Sequence, residues 1–319
     1  MASTAAGGGA GQHGRGVVHA GVRADFTGVL IGSIATAITG CAFGPLADGL
    51  IARMASHHRL EFGRMRLWGS LAFAAMSLLI GVVWSRLGYG AMMFVTGAVM
   101  MLLTPVAFAL ESNVSRAPLE EAVAPRGIQP PAIWNWGMYV LLGVNLLMGF
   151  ALGFVGPFLA VRMQGLGGGA FEVGAFFAIS ALCEFPTMRW ERRVAARLGD
   201  AGVLAVSSGM FALTYLGYAF APNAVVMLGF AVVQGLAFGL FFVASVRTID
   251  ARAGALLGTL QSWRNALIAG IAPLVAGPVG GAIAQGIGVS WVFVVAAAFA
   301  ALSVTLVWSL RVHLEPPTS

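Results

Sequence analysis

Charge is the scarcest ingredient of this sequence. Only 9% of its 319 residues are charged, and lysine is absent altogether. A soluble domain carries roughly 25% charged residues, so an ordinary soluble enzyme and a disordered protein are both excluded. Cysteine is nearly missing too. Cys41 and Cys183 both sit in apolar runs, which reads as two buried thiols and excludes a disulfide-stapled scaffold. The five histidines (His13, His19, His57, His58 and His313) fall in tails or loops. No HExxH, Walker-type loop or nucleophile elbow occurs. The sequence therefore offers no catalytic constellation, metal site or cofactor box.

What remains is apolar. Hydrophobic residues make up 59% of the chain and the mean hydropathy is +0.88. The apolar residues form long unbroken runs, where a membrane barrel would show short alternating segments. The expected fold is all-α, a polytopic membrane helical bundle embedded in a lipid bilayer.

A spanning helix needs about 20 mostly apolar residues. Runs of that length predict nine spans. Three lie before a polar connector at 111–131: 26–47, Arg66 to Arg86, and 87–110. Six follow: 132–161, 171–190, two from 201–246 broken at Ala221-Pro222-Asn223, and two from 253–310 broken near 285–290. The implied layout is a flexible tail (1–25), a three-helix bundle (26–110), a connector (111–131), a six-helix bundle (132–311) and a short tail (312–319). Residues 1–23 lack the apolar core of a signal peptide.

All eighteen basic residues are arginine and the formal net charge is +6. No basic face recurs along a polar helix, so nucleic acid is not an expected partner. Arginine instead sorts by side. Residues 53–66, 111–127, 189–200, 247–252 and the C-terminal tail hold thirteen arginines, and the opposite interior connectors hold only Arg86 and Arg162. The rich side should be cytoplasmic, with the C-terminus on it, in an inner membrane. Arg15 and Arg23 then lie on the wrong side.

Four GxxxG pairs fall within spans: Gly40/Gly44, Gly149/Gly153, Gly235/Gly239 and Gly277/Gly281. Small residues at this spacing let helix backbones approach closely. They read as tight packing, and equally as surfaces on which helices slide.

Ionisable groups inside spans are rare and usually functional. Glu184 lies mid-run in SALCEFPTM, with Pro186 expected to weaken the ladder beside it. It reads as a proton-coupling or substrate-binding carboxyl, or as a carboxyl bonded between helices. Arg264, in LQSWRNALIAG, cannot lose its charge. Pairing with Glu184, binding an anionic solute and snorkelling to the interface all remain open. Asp48, Arg64 and Arg66 flank the first hairpin and, by spacing alone, read as loop charges.

The segment 47–73 (ADGLIARMASHHRLEFGRMRLWGSLAF) resembles a signature of the major facilitator superfamily, in the branch of lactose permease and the phenylpropionate-permease-like proteins. The matching runs are Pro45-Leu46-Ala47-Asp48 and Phe62-Gly63-Arg64-Met65-Arg66-Leu67-Trp68-Gly69-Ser70. A second stretch, VVQGLAFGLFFVASVRTID (232–250), is similar to the branch's tenth helix. Glu184 and Gln261 fall where phenylpropionate-permease-like proteins carry Glu and Gln. The resemblance implies that Asp48 and Arg66 form a substrate-binding charge pair. It implies a secondary transporter of a small organic solute, a sugar or an aromatic or other carboxylate, driven by protons. Two positions depart from the pattern. Gln234 stands where the branch often has His, and Ala237 where lactose permease has a proton-accepting Glu. Coupling would then rest on Glu184 or Asp48. The signature also makes the first span the family's fourth, so helices one to three are expected to be missing. A non-transporting remnant, or a subunit needing a three-helix partner, is the alternative expectation.

Overall fold

The computed structural model describes residues 62–88, scattered positions between 92 and 102, 136–253, 257–309 and 311. All of them belong to one compact unit, Leu50–Ser319. Every described element is a helix. They are α1 (Phe62–Leu87), α2 (Trp136–Gly165), α3 (Ala170–Phe220), α4 (Ala224–Ala253), α5 (Leu257–Asn265), a π segment (Ala266–Ile271), α6 (Ala272–Gly286) and α7 (Val289–Ser309). Among the described residues, seven stretches are long and apolar enough to cross a membrane: Gly69–Leu87, Trp136–Gly165, Ala170–Thr187, Arg193–Phe220, Ala224–Arg252, Thr259–Gly286 and Val289–Ser309. The expected spans at 26–47 and 87–110 lie wholly or mostly outside the described residues.

The breaks between spans follow from local chemistry. Glu172 sits three residues into α3 and its carboxylate accepts the Gly169 N–H at 2.6 Å, half of a capping box. Asn223 opens α4 by accepting the Val226 N–H at 3.0 Å, directly after a proline that cannot continue the preceding helix. Gly288, at φ +105°, makes the turn into α7 that a side chain would strain.

Two departures from regular helix fall where the sequence does not mark them. Pro186 does not interrupt α3, whose helical path runs through it; the break comes thirteen residues later at Gly199, with φ 71° and ψ 171°. A proline removes one donor but keeps helical φ, whereas the left-handed dihedral at Gly199 reverses the chain. The span over 259–286 is also not one regular helix. Pro273 lacks the N–H that would bond the Ala269 carbonyl, and the preceding turn relaxes into a π segment in which Ala272 donates to the Leu267 carbonyl.

Glycines set the closest approaches. A Cβ on Gly81 would meet the Ala170 carbonyl at 3.0 Å and Gly174 Cα at 3.1 Å, so α1 crosses the start of α3 backbone to backbone. Gly149 and Gly153 hold α2 against the π segment and α6, facing Ile268 and Pro273 Cα atoms at 2.9 Å. Gly235 and Gly239 hold α4 against α3 at Ser180 and Glu184. Two of the four predicted GxxxG pairs are therefore helix contacts. Gly277 and Gly281 have no described residue within 4 Å of a Cβ, and Gly40/Gly44 lie outside the described residues.

The core is aromatic. Tyr215, Tyr218, Phe176, Phe211 and Phe293 are fully buried, with Tyr218 at the centre of edge-on contacts to Phe176, Phe230 and Phe293 at 5.6–6.4 Å. Phe150 and Phe154 of α2 stack on Phe299 of α7. Large apolar side chains such as Leu213, Val225 and Leu274 are exposed on the outside, as expected of helices whose solvent is lipid.

Candidate functional site

Helix α4 is the spine of the candidate site. Gln234, Phe238 and Phe242 follow at four-residue spacing and share one face. Phe238 and Phe242 stack with centroids 6.0 Å apart. At one end of this stripe Gln234 Oε1 accepts the Tyr218 hydroxyl at 2.7 Å. At the other, the Arg264 guanidinium lies 4.6 Å from the Phe242 ring centroid. Arg264 is 3% exposed, and its Nη2 donates to Asn265 Oδ1 at 3.0 Å. The side chain is thus turned into the protein, beside the π segment, and does not snorkel outward. One turn below Phe242, Gly239 is pressed against the Glu184 backbone. Glu184 and Arg264 therefore meet the same turn of α4 from two different elements.

A second polar link ties α4 to α2. Ser245 Oγ donates to Asn145 Oδ1 at 2.7 Å, and Asn145 Nδ2 donates to the Leu141 carbonyl at 2.7 Å. Both side chains are fully buried. Each group is satisfied, so the pair fixes helix register without the cost of an orphaned polar atom. Gln261 lies nearer the helix ends, donating to the Val246 carbonyl and to Asp250.

Arg162 does more than mark a side. Its Nε donates to the Tyr218 carbonyl at 3.0 Å, and its Nη2 to the Ala219 and Ala221 carbonyls at 2.9 and 3.2 Å. Those are the last carbonyls of α3, which have no partner within the helix, and a cation there also opposes the helix dipole. The same arginine thereby holds the chain segment that carries Tyr218.

Of the six sequence-derived site residues, Glu184, Gln234 and Arg264 are gathered along α4. Arg64 and Arg66 lie in the first turn of α1, with side chains outside the described residues, and Asp48 lies outside them entirely. Reading the sequence missed Tyr218, Asn145 and the two phenylalanines. Asn145, an amide within the apolar run of α2, was a visible signal. The Phe-x-x-x-Phe spacing was another. Nothing local marks Tyr218.

The two core tyrosines differ in a testable way. Tyr215 is fully buried and its hydroxyl has no hydrogen-bond partner among the described residues. An unsatisfied buried hydroxyl costs about 1–3 kcal/mol. Tyr215→Phe should leave the thermal midpoint of the detergent-solubilised protein unchanged or raise it. Tyr218→Phe should lower it by the equivalent of about 1 kcal/mol, because Gln234 loses its donor. Equal midpoints for the two variants would refute the assigned bond.

The chain is 28% identical over 218 residues to the maltose permease of Geobacillus stearothermophilus, covering 66% of this chain and 52% of that protein. It is 23% identical over 206 residues to the uncharacterized transporter YwbF of Bacillus subtilis strain 168, covering 64% and 51%. A multi-drug resistance efflux pump PmrA homolog of Lactococcus lactis is 29% identical over 193 residues, covering 57% and 46%. The chain spans about half the length of these relatives. The model of the MFS_1-like family matches residues 16–295. A multi-pass helical membrane protein with the signature at 47–73, and with this match over most of its length, belongs to the MFS_1-like family.

Proposed function

We propose that the chain serves secondary active transport of a small organic solute by alternating access. The observation that carries this reading is the mixed line along α4. Gln234 and the Tyr218 hydroxyl, two stacked phenyl rings and a buried guanidinium follow one another on apolar spans. Such a line suits a solute with hydroxyl or carboxylate groups and an apolar face, which is the composition of most small-molecule sites. The names of the relatives divide between a sugar permease and a drug efflux pump, which supports transport of a small molecule; the solute class read here is a sugar or a carboxylate.

Gln234 does not titrate, so proton coupling falls to Glu184, with Asp48 and Arg66 contributing the charge pair that the signature implies. The arginine-rich ends face the cytoplasm, in the inner membrane, with the C-terminus on that side.

The test is uptake by vesicles bearing the chain, using radiolabelled maltose and a phenyl-substituted carboxylate under an imposed pH gradient. One of the two should accumulate, and a protonophore should abolish the accumulation. Glu184→Gln should remove gradient-driven accumulation while exchange of solute across the membrane persists. Accumulation unchanged in Glu184→Gln would take that carboxyl out of the coupling step.

A further inference from the structure

We propose that the recess between the Gly199 kink of α3 and the end of α7 binds the phosphodiester headgroup of an anionic phospholipid. Leu198, Ala201 and Gly202 form one wall, and Val307, Trp308 and Arg311 the other. Its volume is about 60 Å³. That accommodates a phosphate, and none of its lining residues belongs to the Gln234–Phe242 line of α4, so this is a separate site.

Its position and chemistry select the ligand. Arg247 of α4 pairs with Asp200, the residue after the kink. The kink, the end of α4 and the end of α7 therefore lie at one end of the bundle. Trp308 is 64% exposed at the mouth, where an indole marks the boundary between acyl chains and headgroups. The Arg311 guanidinium lies 5.0 Å from the Trp308 ring centroid, and no carboxylate among the described residues pairs with it. Stacking holds the planar fork beside the recess, with donors left for a phosphate.

The surrounding charge is one-sided. Arg189, Arg192, Arg193, Arg197, Arg247, Arg252 and Arg311 lie at this end or on the helix leading to it, against Glu191, Asp200 and Asp250. Both aspartates are engaged, by Arg247 and by Gln261. The positive surplus thus faces the leaflet that carries anionic lipid. An apolar wall of Leu198 and Val307 beneath the guanidinium fits the first methylenes of an acyl chain. An acidic peptide would use the charge and leave that wall bare.

The experiment uses the full chain, delipidated in a non-ionic detergent. Its thermal midpoint is followed on titration with phosphatidylglycerol, phosphatidylcholine or soluble glycerol 3-phosphate. Phosphatidylglycerol should raise the midpoint, increasingly with concentration above its dissociation constant, and the other two should not. Arg311→Gln should weaken the apparent affinity at least about tenfold, the loss of one charge-assisted contact. Arg86→Gln, at the opposite end, should match the parent. Should Arg311→Gln fail to fold, Trp308→Leu must show reduced retention of phosphatidylglycerol in native mass spectrometry. An unchanged response in Arg311→Gln or unchanged retention in Trp308→Leu overturns the proposal. So does an equal response to phosphatidylcholine, or a response to glycerol 3-phosphate alone.

Discussion

Gly239→Leu should cost the protein most of its folded yield. A Cβ at this position would collide with the Thr187 hydroxyl and stand 2.9 Å from the Glu184 carbonyl. The obstacle is backbone as well as side chain, so no rotamer relieves it. Inserting atoms into a packed interface costs about 1–3 kcal/mol and sometimes more, and a leucine against a carbonyl belongs at the upper end. At about 3 kcal/mol the midpoint should fall by roughly 6–12 °C. The control is Gly277→Ala. Nothing lies within 4 Å of a Cβ there, and alanine is the better helix former by about 1 kcal/mol. Its midpoint should hold or rise. Similar losses in both variants would mean that the α3–α4 contact is not the tight one.

The same glycines show what was legible in the sequence. The spacing of Gly149/Gly153, Gly235/Gly239 and Gly277/Gly281 is identical, yet among the described residues only the first two pairs meet another helix. A motif records that a close approach is possible, while the partner comes from tertiary structure. The spans were legible because lipid imposes a length and a polarity on every helix. The break at Ala221-Pro222-Asn223 was legible because Pro and Asn act on their own neighbours. The break at Gly199 was not legible, because it depends on a dihedral that glycine alone adopts readily and that nothing in the neighbouring sequence marks. The π segment was hidden for a similar reason. Pro273 marks a lost donor, but whether the ladder bends, breaks or slips is decided by α2 packing at Gly149 and Gly153.

The candidate site divides along the same line. Glu184 and Arg264 were visible because charge in an apolar run is costly and stands out. Their convergence on one turn of α4 was not, since it depends on how α3, α4 and α5 cross. Tyr218 carries no mark in the sequence. It matters because Arg162, about fifty residues away in the chain, holds its carbonyl while Gln234 takes its hydroxyl.

Arg264→Met is expected to separate function from stability. In the folded protein the guanidinium gains about 2 kcal/mol from the Phe242 face in a desolvated setting, together with a bond to Asn265. Against this stands the burial of a charge, which costs about 2.5–3.5 kcal/mol at the centre of a spanning helix on insertion scales. The terms nearly cancel, and methionine fills a similar volume against an aromatic ring. The thermal midpoint should therefore move by only a few degrees in either direction. Uptake should behave differently. On the function proposed above, the Arg264 guanidinium supplies donors to an anionic or polyhydroxylated solute, and methionine offers it none. Losing a charge-assisted bond of about 3 kcal/mol corresponds to roughly a hundredfold loss of uptake. Arg264→Lys keeps the charge without the fork, and should recover only part of it. The opposite pattern, a large fall in midpoint with normal uptake per folded molecule, would make Arg264 a brace between α4 and α5.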